Sequence, residues 1–438
     1  MFSQFTKRFL ILCSRMDMQL SQRRKSVLII TSLAALLAVL RTSWTHYSAM
    51  SVATMSVSRQ FDVSNDCNHG RDLDSQPLLS KVTTQVKPIQ HVVFCKIHKA
   101  ASSTMHNILH RFALRNDLNV LMTYGVHINM NADVIPERKL VPIPDGSKYH
   151  ILANHLIFNR QKISTFVPGD TVYVGIVREP FSQFVSALTY FSLVFPKPYL
   201  DRIITDNPDN PVEVFLNNSL DYMGPHKTEP NHVQINNRQS VDFGFPLTDF
   251  EASKTNVSKI KQFINKIDSE VDIILISELF DESLVLLRRM LNWETRDIVY
   301  LRNNVLKQKE NVTVPAWTNK KRLDDYPAHT QSMFTQWAAL DIALYNFFYA
   351  KFIDITKKQP EDFLEEVKAF KNVNKQVSEW CSGRVSGDKC RYFPPSLYTG
   401  GFELSWRECE LMALPEKEMT NTSRRVQLER YKVFKEAT

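Results

Sequence analysis

Residues 91–104 of this 438-residue chain read HVVFCKIHKAASST, and this stretch decides the fold. The mainly apolar segment His91–Ile97 predicts a buried β-strand, and apolar residues that then recur at helical spacing predict a helix over Ser103–Ala113. A helix that begins directly after a strand aims its unpaired backbone N–H groups at one point, where its dipole favours an anion. The stretch therefore predicts a strand–turn–helix unit with an anion site at the turn.

The turn carries side chains suited to an anion. Lys99 supplies a positive charge, and Ser102, Ser103 and Thr104 supply hydroxyl donors. An ordinary helix start is the alternative interpretation, because Ser and Thr are also favoured helix caps. The pattern GxxxxGK[ST] is absent, which disfavours ATP or GTP hydrolysis and a nucleotide kinase.

Further strands and helices alternate along the chain. The predicted strands are Tyr149–Ala153, Thr171–Val177 and Val271–Ser277, and the predicted helices are Pro180–Phe191, Lys259–Ile267, Glu282–Leu291 and one long helix, His329–Phe352. Apolar strands that alternate with helices are typical of a parallel sheet covered on both faces, so we predict a three-layer α/β fold. From about Glu361 the sequence is more polar, and we expect an extension that ends in cysteine-bearing loops.

A second candidate binding element follows the strand Thr171–Val177. Arg178 stands at its carboxyl end, where open α/β sheets bind ligands, and Pro180 is favoured in the first turn of the next helix. Ser186, about two helical turns on, is expected to face the same crevice. Arginine suits a bidentate phosphate contact. A surface Arg–Glu ion pair is the alternative, and such pairs contribute little.

The N-terminus predicts a membrane anchor. Residues 26–40 read SVLIITSLAALLAVL and carry no charge, and residues 23–25 read RRK. This basic flank places the N-terminus in the cytosol and the remainder in a lumen. The predicted organisation is a cytoplasmic tail at 1–25, a transmembrane signal-anchor at 26–44, a polar stem at 45–87 and a lumenal domain at 88–438. A cleaved signal peptide is the alternative.

Composition and cysteine usage agree with a lumenal domain. With 43% hydrophobic and 23% charged residues, the chain is not globally disordered. The net charge of +8 suits an anionic ligand, an anionic membrane surface or nucleic acid, and the absence of any run of five basic residues disfavours nucleic acid. No CxxC pair is present, so we predict no structural zinc. Cys381, Cys390 and Cys409 predict disulfide-braced loops with the pairing left open, and Cys95 is expected to be a buried thiol. The glycosylation sequons are at Asn217, Asn256, Asn311 and Asn421.

Together, the two binding elements resemble those of sulfotransferases that use 3′-phosphoadenosine-5′-phosphosulfate (PAPS). The resemblance lies in HKxxSST at residues 98–104 and REPxxxFxS at 178–186, and it continues in ILANHLIFN, NNRQSVDFGF and LISELFDESLVLL. These segments are similar to the galactose 3-O-sulfotransferase family, which includes galactosylceramide sulfotransferase. The likeness spans roughly residues 88–305.

The resemblance implies a role for each matching residue. Arg178 and Ser186 look like the pair that binds the 3′-phosphate of PAPS, and His155 resembles the histidine that serves as base. Lys99 would also stabilise the departing phosphate. The residues that look like the 5′-phosphosulfate loop are Lys99, Ala100, Ala101, Ser102, Ser103 and Thr104. No metal is needed in this scheme. Glu278 and Asp281 follow a predicted strand, and we expect Asp281 to cap the next helix rather than to bind an acceptor.

The function implied is transfer of a sulfuryl group from PAPS to the 3-hydroxyl of a galactose in a glycolipid or glycan, by a single-pass type II Golgi membrane protein. One alternative is a sulfotransferase for another sugar, such as a glycosaminoglycan uronic acid or N-acetylgalactosamine. A second is a lumenal glycan-binding protein that has lost catalysis. The oligomeric state is left open, with a homodimer as one option.

Overall fold

Four parallel strands form the central sheet, in the order β2-β1-β3-β4. The computed structural model describes residues 87–194, 198–219, 222, 234–248, 250–301, 316–319, 322–383 and 389–437. The predicted tail, anchor and nearly all of the stem, with the sequon at Asn311, lie outside these residues. No helix of the described part is long and apolar enough to cross a membrane.

The strands and helices alternate through the first two thirds of the described chain, and helices dominate the last third. In chain order the elements are β1 Val92–Phe94, α1 Ser102–Arg115, β2 Ile151–Leu152, α2 Arg160–Ile163, β3 Val172–Val177, α3 Pro180–Thr189, α4 Pro198–Asp206, α5 Pro211–Asn217, α6 Arg238–Asp242, α7 Phe250–Ser253, α8 Val257–Glu270, β4 Ile273–Ile276, α9 Phe280–Leu291, α10 Thr295–Ile298, α11 Ala328–Trp337, α12 Ala339–Lys357, α13 Phe363–Ser382, β5 Cys390–Phe393, β6 Phe402–Ser405, α14 Trp406–Ala413 and α15 Glu416–Ala437.

The sheet confirms the predicted α/β fold with a central parallel sheet. Val92 of β1 is in register with Ile151 of β2 and Val172 of β3, and Val174 pairs with Ile273 of β4. All strand residues except the first of β3 are buried, which is why these segments are apolar on both sides. Each predicted strand exists but pairs over fewer residues than its apolar run. The carboxyl ends of the four strands share one edge of the sheet.

The single long helix predicted over His329–Phe352 is wrong, because two helices, α11 and α12, replace it. The side chain of Asn237 lies at the break. Its Nδ2 donates to the carbonyl of Trp337 at 2.7 Å, and its Oδ1 accepts from the N–H of Asp341 at 2.9 Å. These are the two backbone groups that an uninterrupted helix would join directly, so Asn237 replaces that helical bond.

The prediction that the chain ends in cysteine-bearing loops is also wrong. Two long helices, α13 and α15, fill much of this region, and Cys381 and Cys409 lie in α13 and α14. The buried residues of α13 recur every three or four positions, as its packing against the domain requires. Cys381 and Cys409 form a disulfide with their Cα atoms 5.3 Å apart. Cys95 is a buried free thiol, as predicted.

Candidate active site

The loop between β1 and α1 has a backbone suited to an anion. Lys99 and Ala101 both adopt positive φ angles, 61° and 58°, which non-glycine residues rarely do. Left-handed residues that alternate with right-handed ones can turn successive N–H groups towards one side, as in an anion-binding nest. Ala101 precedes α1 without a side-chain cap, and no acidic residue lies in the first turn. The ordinary capped helix start is therefore absent at α1.

Lys99 is half-buried at this loop. Its Nζ lies 3.9 Å from the centroid of the Tyr190 ring, and no carboxylate pairs with it in the part of the chain that the structure describes. Burial and the nearby charge of Arg178 lower the pKa of Lys99 to about 8. A lysine held without an acidic partner favours an anionic ligand, since such a ligand would restore the charged form.

Arg178 lies beside the same loop. Its Nη1 donates to the carbonyl of Lys99 at 2.9 Å, and its Nε is 4.0 Å from Glu278. Gln239 fixes the backbone at this position, because it accepts from the N–H of Arg178 at 2.8 Å and donates to its carbonyl at 2.9 Å. Arg178 thus joins the loop and β3, while its contact with Glu278 is too long to be a strong ion pair.

The remaining predicted residues of this loop differ in their burial and in what they contact. Ala100 and Ser102 are buried, and the Ser102 carbonyl accepts from Lys96 Nζ at 3.0 Å. Ser103 Oγ donates to Glu416 at 3.1 Å, so this hydroxyl points towards a carboxylate. Thr104 lies in the first turn of α1.

Ser186 is half-buried on α3. Its hydroxyl forms no hydrogen bond among the described residues, and none joins it to Arg178. The structure therefore brings Lys99 and Arg178 into contact. Ser186 lies on α3, the helix that follows Arg178, and forms no hydrogen bond with either residue.

His155 is buried between two other histidines. Its ring stacks on His98 with centroids 4.0 Å apart and meets the edge of His127 at 5.2 Å. Burial and the neighbouring His98 and Lys96 hold the pKa of His155 well below its ordinary value. The imidazole is therefore neutral at physiological pH, which a general base requires.

His98 was not predicted as a site residue, although it begins HKxxSST. Its Nδ1 donates to Asp242 at 2.8 Å, and Asp242 also pairs with Arg238 at 2.8 Å. Burial raises the pKa of Asp242, but Arg238 and His98 outweigh burial and the pKa lies below its usual range. Asp242 is therefore a carboxylate that fixes the His98 tautomer and leaves its Nε2 without the proton.

The motif NNRQSVDFGF explains this arrangement. It supplies Arg238 and Asp242 to His98 and Gln239 to Arg178, all from the short helix α6. Gly244 then has φ of +87°, and a Cβ there would lie 2.4 Å from the carbonyl of Phe158. Only glycine permits this approach, so the motif packs against the segment that follows His155. The motif was a recognisable signal, but its roles required the three-dimensional contacts.

His127 and Glu416 were also not predicted. One ligand atom each from His127, His155 and Glu416 lie within 4.8 Å of one another, and such a set of atoms can hold a metal ion. Glu416 also pairs with buried Lys96 at 3.2 Å. Burial raises the pKa of Glu416, but Lys96 and His127 outweigh it, so the pKa is lowered and the side chain is a carboxylate. No sequence pattern connects these residues, since Glu416 lies 261 positions after His155.

The prediction that Asp281 caps a helix is wrong. The residue before α9 is Leu279, α9 has no side-chain cap, and Asp281 lies in its first turn. Asp281 Oδ1 instead accepts from the hydroxyl of Tyr300 at 2.9 Å. Glu278 accepts from the N–H of Glu179 at 3.0 Å, so it joins the ends of β3 and β4.

Comparison with known proteins identifies the family of this chain. A model of the family described as Galactose-3-O-sulfotransferase matches residues 11–388. Galactose-3-O-sulfotransferase 3 of Mus musculus is 28% identical over 356 residues, which are 75% of this chain and 76% of the relative. Galactose-3-O-sulfotransferase 2 of Mus musculus is 27% identical, covering 69% and 73%. Galactosylceramide sulfotransferase of Homo sapiens is 25% identical, covering 68% and 65%. The chain belongs to the galactose-3-O-sulfotransferase family and is a carbohydrate sulfotransferase.

Proposed function

We propose that this enzyme transfers the sulfuryl group of PAPS to the 3-hydroxyl of a galactose in a glycolipid or glycan. The observation that carries the proposal is the meeting of three features at one edge of the sheet. These are the strained loop at Lys99, the guanidinium of Arg178 against that loop, and the neutral buried His155. An anion-binding loop beside a neutral base fits the transfer of an anionic group to a hydroxyl.

The loop fits the 5′-phosphosulfate. Lys99 lacks a carboxylate partner among the described residues, and no side chain caps the N-terminus of α1. We assign Lys99–Thr104 to the 5′-phosphosulfate and Arg178 with Ser186 to the 3′-phosphate. The Ser186 hydroxyl, without a partner among the residues described, supports this assignment because it can donate to a phosphate oxygen.

The chemistry is an in-line displacement at sulfur. The galactose oxygen forms a bond to sulfur, and the bond from sulfur to the bridging phosphate oxygen breaks. The hydroxyl proton passes to His155, and the leaving electron pair stays on the 5′-phosphate, where the Lys99 ammonium stabilises it. The charge is spread over equatorial oxygens, so positioning by the protein contributes most of the rate, as in phosphoryl transfer.

We further propose the cellular setting. Residues 1–25 would face the cytosol, 26–44 would form a signal-anchor, 45–87 a stem and 88–438 the domain in the Golgi lumen. The basic flank and apolar run at the N-terminus support this orientation, and the Cys381–Cys409 disulfide fits an oxidising compartment.

The experiment is transfer of labelled sulfate from PAPS by the purified full-length chain. Galactosylceramide and a β-galactosyl oligosaccharide are the acceptors, and glucosylceramide is the matched control. We expect transfer to a galactoside only, with the 3-position identified in the product by NMR. Transfer to uronic acid or N-acetylgalactosamine polymers instead of galactosides would contradict the proposal.

Binding of the donor is tested separately. Calorimetry with 3′,5′-diphosphoadenosine and with AMP, which lacks the 3′-phosphate, isolates the second element. Arg178→Ala and Ser186→Ala should weaken only the first ligand, whereas Lys99→Ala should weaken both. Equal losses for both ligands in all three variants would contradict the assignment of Arg178 and Ser186.

A further inference from the structure

Two polar atoms beside His155 are buried without a hydrogen-bond partner. They are Nδ1 of His127 and Oε1 of Glu416, which are 3.9 Å apart. This separation is too long for a hydrogen bond, and buried polar groups are rarely left unpaired. One ring nitrogen each of His155 and His127 and one carboxylate oxygen of Glu416 lie within 4.8 Å of one another. We call the space between these three atoms the histidine–glutamate niche.

The size of the niche allows one oxygen atom to contact all three side chains. For three atoms that lie no more than 4.8 Å apart, a point exists within about 2.8 Å of each. That is a hydrogen-bond length to oxygen. A zinc ion requires its ligands at about 2.0–2.2 Å, so opposite ligands can be at most about 4.4 Å apart. The 3.9 Å between His127 Nδ1 and Glu416 Oε1 also meets that limit, so the choice between an oxygen atom and a metal ion rests on the hydrogen-bonding character of the niche.

The hydrogen-bonding character of the niche selects a hydroxyl. Glu416 is an acceptor because it is a carboxylate, and neutral His155 offers a lone pair. The carboxylate 3.9 Å from His127 Nδ1 favours a proton on that nitrogen, so His127 is the donor. A hydroxyl group can accept from His127 and donate its single proton to Glu416 or His155.

The backbone holds His127 at this place. The N–H groups of Ile128 and Asn129 both donate to the carbonyl of His155 at 3.0 Å. Thr123 Oγ1 donates to the carbonyl of His127, also at 3.0 Å. The segment at His127 is therefore hydrogen-bonded to His155 on one side and to Thr123 on the other, and Thr123 lines a neighbouring cavity.

That cavity has a volume of about 550 Å³, which lies in the range of small-ligand pockets. Its walls include His127, Tyr124, Arg138 and Lys139. Tyr124 is 57% exposed, and an aromatic ring left open in a cavity wall suits the apolar face of a sugar. The niche and the cavity share His127, so one ligand can occupy both.

From these contacts we propose that the histidine–glutamate niche binds the reacting hydroxyl of the acceptor sugar, with the rest of that sugar in the adjoining cavity. His127 and Glu416 are then acceptor-positioning residues, and His155 receives the proton from the hydroxyl that they hold. This inference rests on the proposed sulfotransfer to galactose. Glu416 lies beyond residues 11–388, which the family model matches.

The test is steady-state kinetics of the full-length chain with the acceptor and PAPS varied separately. His127→Ala should raise the KM for the galactoside about tenfold or more and leave the KM for PAPS within about twofold. His127→Asn should recover part of this loss, because its amide keeps an N–H near the position of Nδ1. His329→Ala, at an exposed histidine of α11, is the matched control and should change neither constant.

Glu416→Gln gives a second measurement. It should also raise the KM for the galactoside. Because Ser103 of the proposed 5′-phosphosulfate loop donates to Glu416, Ser103→Ala is measured beside it, and calorimetry with 3′,5′-diphosphoadenosine in both variants gives the part of the effect that passes through donor binding. An unchanged KM for the galactoside in His127→Ala and Glu416→Gln, with an active wild type, overturns the inference. Absence of transfer to every galactoside by the wild type overturns the proposed function instead.

The metal alternative has its own readout. After treatment with a chelator, ZnCl₂ alone should not raise the thermal midpoint of the protein. A rise that disappears in His127→Ala would make the niche a metal site and overturn the assignment to a hydroxyl.

Discussion

Lys99 and His155 are both side chains whose charge is disfavoured by burial, yet the proposed chemistry uses them in opposite ways. Lys99 is to remain charged when an anion arrives, and His155 is to remain neutral until a proton arrives. Their surroundings agree with these roles. Lys99 lies near Glu416 but has no direct carboxylate partner among the described residues, whereas His155 is surrounded by other positive or titratable nitrogens that oppose its protonation.

The first prediction concerns His155. His155→Ala should lower kcat by about 10²- to 10⁴-fold, the usual contribution of a general base, while the affinity for 3′,5′-diphosphoadenosine changes little. Single-turnover transfer and calorimetry measure the two quantities. Its stacking partner gives the control, because His98→Ala removes a neighbouring ring of the same kind. A loss confined to His98→Ala would assign the base to His98, with Asp242 behind it.

The second prediction concerns the pH dependence caused by Lys99. The pKa of Lys99 is lowered to about 8, so the charge is complete below this pH and is lost above it. We expect kcat/KM for PAPS to fall about tenfold per unit of pH above 8, since this constant reports groups of the free enzyme. Lys99→Arg should move the alkaline limb out of the measured range. An unchanged limb in that variant would assign it to another group.

At the scale of elements, α15 is the helix that connects the C-terminus to the loop proposed to bind the donor, Lys99–Thr104, which we call the donor loop. His106 and His110 of α1 face it, with His106 Nε2 3.1 Å from Thr420 Oγ1 and His110 Nδ1 2.7 Å from Ser423 Oγ. Lys96 and Ser103 bind Glu416 at its first residue. One face of α1, the helix that follows this loop, is thus bound to α15 by polar contacts.

The third prediction follows from the buried histidine of this contact. Burial lowers the pKa of His110 from 6.5 to about 4. Between these pH values the unfolded chain binds a proton that the folded chain does not. Stability is therefore complete above pH 6.5 and falls as the pH approaches 4, by about 3 kcal/mol from this group.

Urea unfolding at pH 7, 6 and 5 measures this dependence. His110→Gln keeps a polar side chain towards Ser423 but cannot titrate, so its stability should depend less on pH. His329→Gln changes an exposed histidine of α11 and should leave the slope as in the wild type. Equal slopes in all three proteins would contradict the prediction.

Elements with continuous apolar runs were predictable from the sequence, and elements joined by polar contacts were not. The four strands of the sheet are buried on both faces, so their residues are apolar whatever the details of pairing. The break between α11 and α12 depends on one amide, Asn237, which lies a hundred positions earlier in the sequence. Helical periodicity continues through that break, so it gives no sign of it.

At the scale of the whole molecule, the site residues that follow strands were predictable from the sequence, and those that reach the site by packing of distant segments were not. Arg178 comes directly after β3 and Lys99 follows β1 after four residues, at the sheet edge where topology alone brings side chains together. His127 and Glu416 reach the site through a loop and through the last helix, and neither lies next to a recognisable motif. Their positions depend on how distant segments pack, which a single sequence does not encode in any local pattern.

The fourth prediction concerns orientation across the membrane. The full-length chain expressed in a secretory cell should carry N-linked glycans, because the side chains of Asn217, Asn256 and Asn421 are exposed. Enzymatic removal of glycans should then increase its electrophoretic mobility. An unmodified chain would contradict the lumenal placement of residues 88–438.

The variants for this test depend on what each sequon also does in the fold. Asn256 caps α8 by accepting from the N–H of Lys259 at 3.0 Å, so Asn256→Gln would cost about 1 kcal/mol of stability. Ser258→Ala removes that sequon without touching the cap. At Asn421 the choice reverses, because Ser423 binds His110 and must stay, so Asn421→Gln is used. Ser219→Ala is used at the third site, Asn217. Each substitution that removes an acceptor should remove one step of the mobility shift. Activity should persist, because none of the three substituted residues contacts the donor loop or the histidine–glutamate niche.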